Sequence, residues 1–449
     1  MLDRIKEFQN QYNINKHLNC FVCDTSDLAK KTFLNFSKKQ KNSSLYGKLI
    51  AIKDNLNYVG TRTTCASKIL DKHSSIFNAT VVNRILDNGG LILGKTNMDE
   101  FAMGSSSEYS YFGTTKNSIN PNYVAGGSSG GSAVAVASGM VDMALGSDTG
   151  GSVRQPASFC GIYGLKPTYG RLSRYGLVAF ASSFDQVGIF AKNVNDTKIL
   201  FNSIAGCDKN DSTSSDKPLE DFVYNENDIK KIKIGIPKEY IVDGIDKEVL
   251  NSYNELIAFL KKSGFQIKEI SLPNTKSAIA TYYILSTAEA SSNLARYDGV
   301  RYGYSKRDSD LENMYRDTRN CGFGDEVKRR ILLGTFVLSS GYYDAYYQKA
   351  QKVRSLIKND FIRAYKTVDL ILTPTSPFLP FKIGEKVNDP LQMYLSDIFT
   401  VPMSLAGIPA LNIPFSFSKN NLPIGMQLVG NYFQENKLFA LSQFIARNN

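Results

Sequence analysis

The chain has 449 residues, of which 42% are hydrophobic and 21% are charged, and its formal net charge is +11. This length can bury a large core in one to three domains. No stretch approaches 18 uninterrupted apolar residues and the N-terminus lacks a secretory signal, so no membrane segment is predicted. The basic charge permits an RNA or acidic partner, but a solvated basic surface explains scattered lysines equally well.

Cysteine and histidine usage restricts the possible chemistry. Only Cys20 and Cys23 form a CxxC pair, and no second pair or nearby histidine accompanies it, so no metal site is expected. Reduced, buried thiols in a cytoplasmic protein are the simplest interpretation. The only histidines, His17 and His73, are distant in sequence from the Gly/Ser-rich turns described below. A serine nucleophile there is therefore expected to use another base.

The N-terminal part contains a lysine at a position of interest. Apolar spacing over residues 1–40 predicts a helical arm that packs on the core. The apolar run 49–52 predicts a buried strand that ends at Lys53. Functional groups gather at the carboxyl ends of strands in α/β proteins, and a desolvated lysine there has a lowered pKa and can act as a base. A surface Lys53 beside Asp54 fits the same residues equally well.

A second lysine lies in a motif that resembles a phosphate-binding loop. A helix is predicted over 79–88 and a strand over 91–93, and the segment GGLILGKT at 89–96 matches GxxxxGK[ST]. A phosphate loop must follow a strand and open a helix. Here the four variable positions form the strand itself, so nucleotide binding by this motif is rejected.

Two Gly/Ser-rich turns form the centre of the pattern, GGSSGG at 126–131 and TGGS at 149–152. Residues between them predict a helix over 132–140 and a buried strand over 141–146. Loop, helix, strand and loop would bring Ser128 and Ser152 together beside free backbone N–H groups, which makes a candidate acyl-transfer site. A flexible linker is disfavoured, because Gly/Ser linkers carry no apolar run of this length.

The remaining elements alternate between strands and helices, which predicts a mixed, largely α/β layered fold. They are a helix start at 153–159, a basic loop at 164–177, an exposed excursion at 207–230, strands at 232–237 and 265–271 around a helix at 247–263, a mostly helical region at 275–365, a strand at 369–377, two strands in ALNIPFSF and PIGMQLVG, and a helix at 434–447. We expect a single domain over 1–449, divided into the arm 1–40, a core 41–206 with the motifs, the excursion 207–230, a β-α-β and helical region 231–365, and a C-terminal return to the sheet over 366–449.

The motifs resemble a known family. GGSSGGSAVAVASG followed by GSDTGGSVRQPASFCG is similar to the signature of the amidase signature family, and the likeness extends from IAIKDN to the C-terminus. It implies an α/β fold with a central mixed twisted β-sheet covered by helices on both faces. LGKTNMDEFAMGSSSE and DIFTVPMSLAGIP most resemble the branch that forms the glutaminase half of tRNA-dependent amidotransferases.

The resemblance implies a Ser–cis-Ser–Lys site. Ser152 would be the nucleophile, Ser128 would relay the proton across a cis Gly127–Ser128 peptide, and Lys53 would be the base. The implied oxyanion hole consists of the backbone N–H groups of Thr149, Gly150, Gly151 and Ser152.

The same resemblance implies a site for free glutamine, which carries an α-carboxylate and an α-ammonium group. Arg330 would bind the carboxylate, because its planar fork is bidentate, and Asp397 would bind the ammonium group. Tyr282 is a further expected contact. On residue type alone, Arg330 would be a helix-surface cation beside Arg329.

The implied function is glutamine hydrolysis that supplies ammonia for converting Glu-tRNA(Gln), and in many bacteria Asp-tRNA(Asn), to the amidated form. The implied partners are the B and C subunits of a heterotrimer and misacylated tRNA, with no cofactor in this chain and with ATP and Mg at the partner subunit. One alternative is a free-standing amidase for small or acyl amides, although neutral apolar amides have no use for Arg330 and Asp397. Another is a basic RNA-binding protein with an inactive amidase-like fold.

Overall fold

A mixed β-sheet of eleven strands is the centre of the computed structural model, which describes residues 1–219, 224–241 and 244–448. The strands are β1 (Phe21–Asp24), β2 (Leu49–Lys53), β3 (Leu91–Thr96), β4 (Met143–Asp148), β5 (Tyr163–Lys166), β6 (Gln186–Ala191), β7 (Lys233–Pro237), β8 (Gln266–Ile270), β9 (Leu370–Pro374), β10 (Ala410–Phe417) and β11 (Pro423–Gly430). Their order across the sheet is β1-β3-β2-β4-β6-β5-β10-β11-β9-β7-β8. Strand β2 is parallel to both its neighbours, and so is β7, whereas the other pairs are antiparallel.

Helices flank this sheet. They are α1 (Leu2–Ile14), α2 (Ser26–Leu34), α3 (Lys38–Lys41), α4 (Thr80–Asp87), α5 (Gly130–Ala137), α6 (Arg154–Phe159), α7 (Val194–Ile204), α8 (Glu226–Lys230), α9 (Lys247–Lys262), α10 (Ala278–Asn293), α11 (Leu311–Gly322), α12 (Asp325–Leu338), α13 (Lys349–Ala364), α14 (Pro390–Leu395), α15 (Val401–Ala406) and α16 (Glu435–Asn448), with a π-helical segment at Tyr343–Gln348. Among the described helices, none has the length and apolar character needed to cross a membrane.

The alternation of side chains along β2 shows why helices pack on both faces. Ile50 and Ile52 belong to one buried cluster with residues of α4, whereas Leu49 and Ala51 belong to another with residues of α5. Successive side chains of a strand point to opposite faces, so an all-apolar strand needs cover on each side. The buried β2 is therefore an interior strand, and its carboxyl end is held between β3 and β4.

Much of the predicted architecture is confirmed. The α/β class, the strand that ends at Lys53, the β-α-β unit of β7, α9 and β8, and the two C-terminal strands all occur. Strands β2 and β3 begin with short apolar runs, and β10 and β11 are separated by a short polar turn, which are strong local signals.

Other predictions need correction. The N-terminal arm is not purely helical, because β1 lies within it and pairs antiparallel with β3 at the edge of the sheet. The predicted basic loop 164–177 begins inside β5, and two of its basic residues, Lys166 and Arg171, are buried. Strand β6 and helices α7, α14 and α15 were not predicted. These departures depend on partners that are distant in the sequence.

The excursion at 207–230 is mostly exposed or half-buried where it is described, whereas residues 220–223 lie outside the described residues. It is nevertheless anchored. The buried carboxylate of Asp208 accepts hydrogen bonds from Thr80 Oγ1 and Ser173 Oγ at 2.6 Å each, and Arg171 donates to the carbonyl of Lys217 at 2.5 Å. The division of the chain into the five predicted regions stays a prediction.

Candidate active site

Lys53 is the last residue of β2, and its side chain is completely buried, which excludes the alternative of a surface lysine. Its Nζ atom lies 2.7 Å from Ser128 Oγ and 2.9 Å from Ser147 Oγ, within hydrogen-bond distance of both hydroxyls. The hydroxyl of Ser147 also accepts a hydrogen bond of 2.9 Å from Asn55 Nδ2. The amine is thus fixed by hydroxyl groups and aimed at the first Gly/Ser turn.

Burial lowers the pKa of Lys53 to about 7, although the carboxylates of Asp99, Asp148 and Asp185 raise it in part. Burial also raises the pKa of Asp99 to about 6, because removal from water disfavours a carboxylate as it disfavours an ammonium group. No hydrogen bond joins Lys53 to a carboxylate in the described residues. A large fraction of this lysine is therefore neutral near pH 7, which a general base requires.

The first Gly/Ser turn, 126–131, holds Ser128 in a fully buried position just before α5. The Gly127–Ser128 peptide is cis, as the resemblance implies. The carbonyl of Ser128 accepts a hydrogen bond from the Asp99 amide at 3.2 Å. A Cβ atom on Gly127 would collide with the Asp99 carboxylate and with nearby backbone amides, so only glycine fits this close approach.

The second turn, 149–152, is closed by a buried ion pair. Arg154 donates from Nη2 to Asp148 Oδ1 at 2.8 Å and from Nε to Asp148 Oδ2 at 2.9 Å. These residues flank the turn on either side, so the bidentate pair fixes its two ends. The amide of Ser129 donates to the carbonyl of Ser152 at 3.2 Å, which joins the two turns directly. The structure thereby brings the Ser128 and Ser152 segments together.

Ser152 is the predicted nucleophile, and it is 8% exposed. Within the described part of the chain its hydroxyl makes no hydrogen bond, so the contact from Ser128 to Ser152 is not closed in this structure. Catalytic hydrogen bonds are often long without substrate and tighten in the Michaelis complex. The order of Lys53, Ser128 and Ser152 along a proton path stays a prediction.

The four backbone amides from Thr149 to Ser152 are also open donors. Over the described ranges, none of them donates to another protein group. The Thr149 side chain is engaged separately, since its Oγ1 donates to Asp185 Oδ1 at 2.6 Å. Consecutive free N–H groups in a buried turn can hold a developing oxyanion, so the geometry is compatible with the predicted oxyanion hole.

Arg330 lies on α12 with only 3% of its surface exposed, which excludes the alternative of a helix-surface cation. Its Nε donates to Glu326 Oε1 at 2.8 Å. The aromatic rings of Phe180, Tyr283 and Tyr394 surround the guanidinium carbon, with centroids 5.3–5.7 Å away. In the described residues its Nη1 and Nη2 atoms have no protein partner, and they are not sealed from solvent. A permanent cation with a free edge suits a carboxylate ligand.

Asp397 and Tyr282 approach the same place from other elements. Asp397 precedes α15, is buried, and accepts a hydrogen bond from Ser105 Oγ at 2.6 Å. Burial raises the pKa of Asp397 to about 7, whereas Ser105 and Arg330 lower it in part. Tyr282, on α10, packs so closely on Gly150 that a Cβ there would collide with the phenol ring. Tyr282 therefore joins the second turn to the side of the site that contains Arg330 and Asp397.

Sequence reasoning missed several residues of this site. Ser147 and Asn55 fix the lysine amine, Asp99 supports the cis peptide, and Glu326 fixes Arg330. A signal was available for two of them. If β2 and β4 are assumed to be parallel neighbours, residue 147 falls beside the carboxyl end of β2. Glu326 stands four residues before Arg330, which is the spacing of an ion pair on one helix face. The contacts of Asp99 and Asn55 join segments whose proximity the sequence pattern does not reveal.

Two further sequence features have structural outcomes. Lys95, from the rejected phosphate-loop motif, lies in β3, is buried, and pairs with Asp54 at 3.1 Å, which agrees with the strand assignment. All six cysteines are free thiols. The prediction of buried thiols is wrong for Cys207 and Cys321, which are exposed, and Cys23 is only half-buried.

A buried lysine hydrogen-bonded to a serine, beside a turn of unpaired amides that carries a second serine, defines the class of amide-hydrolysing acyl-transfer enzymes. Comparison with known proteins agrees, because the family described as Amidase matches residues 2–439. The chain belongs to the amidase family.

Particular relatives are also similar. The chain is 55% identical over 440 residues to the A subunit of the glutamyl-tRNA(Gln) amidotransferase of Persephonella marina, which covers 97% of this chain and 90% of that one. The crystal structure of the corresponding A subunit from Thermotoga maritima matches with a TM-score of 0.84 and 43% identity over 99% of this chain and 91% of that one. A crystal structure of an amidase matches with a TM-score of 0.83 but 26% identity, over 100% and 96% of the two chains. The amidotransferase A subunits and the amidase therefore share the fold of this chain. The sequence identity is higher to the amidotransferase A subunits than to the amidase.

Proposed function

We propose that this chain is the glutamine-hydrolysing A subunit of a Glu-tRNA(Gln) amidotransferase. The 2.7 Å hydrogen bond between Lys53 Nζ and Ser128 Oγ carries the proposal, because it links a buried amine to the cis-serine turn that meets Ser152. The names and high identity of the relatives from Persephonella marina and Thermotoga maritima support the choice of this reaction among those of the family.

The chemistry begins with attack on the side-chain amide of glutamine. Ser152 Oγ bonds to the amide carbon as its proton moves through Ser128 Oγ to the neutral amine of Lys53. The backbone amides of the second turn hold the oxyanion, and one such donor is typically worth about 2.7–4 kcal/mol of barrier. The carbon–nitrogen bond then breaks, and the same proton returns to the nitrogen, so that ammonia leaves. Water releases glutamate from the γ-glutamyl ester by the reverse proton path.

Recognition of glutamine rests on two buried opposite charges. The free Nη edge of Arg330 receives the α-carboxylate, and Asp397 receives the α-ammonium group. Burial raises the pKa of Asp397 to about 7, and a cation bound beside it favours the anionic form, because an adjacent positive charge lowers the pKa of a carboxyl group. Tyr282, which lies against Gly150 of the second turn, is a further expected contact of the substrate.

The ammonia is used elsewhere in an assembly. We propose the B and C subunits as partners in a heterotrimer that binds misacylated tRNA, Glu-tRNA(Gln) and in many bacteria Asp-tRNA(Asn). Activation of the tRNA-bound carboxylate with ATP and Mg belongs to the partner subunit. This division agrees with the rejection of the phosphate-loop motif, in which Lys95 is engaged by Asp54.

The central test is mass spectrometry of the full chain after incubation with glutamine, with hydroxylamine as a trap for the ester. Without the trap we expect a γ-glutamyl adduct on Ser152, and with hydroxylamine we expect free γ-glutamyl hydroxamate in its place. Both products should be absent in Ser152→Ala and slower to form in Lys53→Ala. An adduct on a cysteine would refute the mechanism.

A second experiment separates glutaminase from free-standing amidase, the function that the structural likeness to an amidase favours as second candidate. Glutamine and propionamide are compared as substrates of the parent chain and of Arg330→Ala. We expect the substitution to impair glutamine hydrolysis and to leave propionamide hydrolysis unchanged. Equal rates with both substrates in both proteins would favour the free-standing amidase.

A further inference from the structure

We infer that Glu326 is a positioning residue, which sets the orientation of Arg330 and thereby the affinity for the α-carboxylate of the substrate. This inference rests on the proposed function. It concerns a side chain that touches Arg330 rather than the reacting atoms, and it assigns a reason for burying a carboxylate at this position.

The first observation is the contact itself. Glu326 and Arg330 stand one helical turn apart on α12, and Glu326 Oε1 accepts the Nε hydrogen of Arg330 at 2.8 Å. The Glu326 side chain is only 4% exposed, so this is a desolvated ion pair and not a surface one. Removing one partner of a buried pair leaves the other charge uncompensated, so the position of Arg330 depends strongly on Glu326.

Glu326 is itself held from two sides. Tyr394 donates its hydroxyl to Glu326 Oε1 at 3.2 Å, and Arg329 forms an ion pair with Glu326 Oε2. The carboxylate therefore has little freedom to rotate. It lies at the junction of α12 and α14, so the orientation of Arg330 is tied to the segment that leads to Asp397.

The second observation concerns the faces of the guanidinium group. Tyr283 and Tyr394 stack on each other with centroids 3.8 Å apart, and the Arg330 guanidinium lies 5.3 and 5.5 Å from their centroids. Phe180 is a further neighbour at 5.7 Å. Aromatic rings attract a cation but offer no acceptor in a fixed direction. The rings confine Arg330, and Glu326 is the one acceptor among the described residues that fixes the rotation of its fork.

A geometric consequence follows for the substrate. With Nε engaged by Glu326, the edge formed by Nε and one Nη is closed to a ligand. The remaining edge, formed by Nη1 and Nη2, has no partner among the described residues and receives the carboxylate in a bidentate manner. Without Glu326, Arg330 could present either edge, and the bound substrate would lose its single orientation.

The test uses the full chain in complex with its amidotransferase partners and measures kcat and KM for glutamine. For Glu326→Ala we expect KM to rise about 10-fold or more with kcat changed less than about 3-fold, because the lost contact serves binding in ground and transition states alike. Glu326→Gln retains an oxygen acceptor for Nε, so its KM should stay within about 3-fold of the parent value. Propionamide, which has no α-carboxylate, should be hydrolysed equally by the parent and by Glu326→Ala.

The matched control is Asp325→Asn. Asp325 is the neighbouring residue on α12, but its exposed carboxylate pairs with Lys328 at 2.9 Å, so the kinetic constants should not change. A rise in KM after Arg330→Ala with no change after Glu326→Ala would overturn the positioning role alone. Glutamine kinetics insensitive to Arg330→Ala would instead refute the proposed glutamine site. If Glu326→Ala lost activity equally with glutamine and propionamide, the role of Glu326 would be structural and the inference wrong. The same conclusion would follow if Glu326→Ala failed to fold and Glu326→Gln changed kcat without changing KM.

Discussion

The surroundings of Lys53 and of Arg330 show two different outcomes of burying a basic side chain. Both side chains are buried, although the Nη edge of Arg330 is not sealed from solvent. Lys53 Nζ is hydrogen-bonded to the hydroxyls of Ser128 and Ser147 and to the Ser147 carbonyl, whereas Arg330 is paired with the carboxylate of Glu326. Burial lowers the pKa of Lys53 to about 7. A guanidinium group cannot lose its proton in a protein, so Arg330 remains a cation.

The difference explains the division of work in the site. An isolated charge costs several kcal/mol to bury, so a lysine without a carboxylate partner releases its proton and becomes a base. An arginine in the same environment needs a counter-ion, and the pair then retains a positive edge for an anionic ligand. A buried basic side chain can thus serve either in proton transfer or in anion binding. Which of the two it does depends on whether it is lysine or arginine and on whether a carboxylate pairs with it.

The largest effect is expected at the nucleophile. Ser152→Ala should lower kcat by on the order of 10,000-fold or more, because loss of a nucleophile leaves only binding and the oxyanion hole to act. Glutamine-dependent ammonia release measures this loss. Ser212→Ala, a change at an exposed serine outside both turns, serves as the control and should leave ammonia release unchanged. A loss of ammonia release smaller than about 100-fold in Ser152→Ala would contradict the acyl-serine path.

The base is tested most sharply by Lys53→Arg, which keeps a positive charge but cannot supply a neutral amine. We expect kcat to fall by about 100- to 10,000-fold, the usual contribution of a general base. In the parent, kcat should rise with pH through about 7 as Lys53 loses its proton, because kcat reports the complex, in which bound glutamine holds Asp397 anionic. A pH–rate profile over roughly two units on either side of that pKa, from about pH 5 to about pH 9, checks this. An acid limb that persists unchanged in an active Lys53→Arg enzyme would assign the base elsewhere.

The anion site is tested by Arg330→Lys, which keeps the charge and loses the fork. We expect KM for glutamine to rise about 10-fold, because a point charge cannot replace two parallel hydrogen bonds and Glu326 no longer orients it. Steady-state kinetics with glutamine measure the change, and propionamide is the internal control. An unchanged KM would show that bidentate geometry is unimportant at this position.

The smallest effect concerns stability. Lys53→Met should stabilise the fold by about 1–3 kcal/mol near pH 6, since it removes a buried amine whose pKa is lowered, although two serine hydroxyls lose a partner. The parent gains stability as pH rises from about 7 to 10.5, because over this range the unfolded chain holds a proton that the folded chain has released. The difference in the free energy of unfolding between variant and parent should therefore shrink as the pH approaches about 10, near the ordinary lysine pKa of about 10.4. Chemical denaturation at several pH values checks the sign, and a difference independent of pH would contradict the lowered pKa.

The parts of the site that could be predicted are those that a short local stretch of sequence defines. The strand that carries Lys53 and the two Gly/Ser turns were recognisable, since each is a short local pattern of apolar or small residues. Arg330 and Asp397 were identified only through resemblance, and residue type by itself favoured the wrong location for Arg330. Glu326 was missed, because an acidic residue at the start of a helix is ordinarily an exposed one that complements the helix dipole.

Local periodicity and glycine placement were enough to predict the α/β class, the strand that ends at Lys53, and the two serine-bearing turns around a packed helix and strand. Three contacts emerged from the packing of distant segments: Lys53 with Ser147 as well as Ser128, Tyr282 with Gly150, and Arg330 with Glu326 and three aromatic rings. The pKa of an amine and the free edge of a guanidinium group depend on which distant side chains exclude water. That arrangement is fixed when the sheet and its helices pack together.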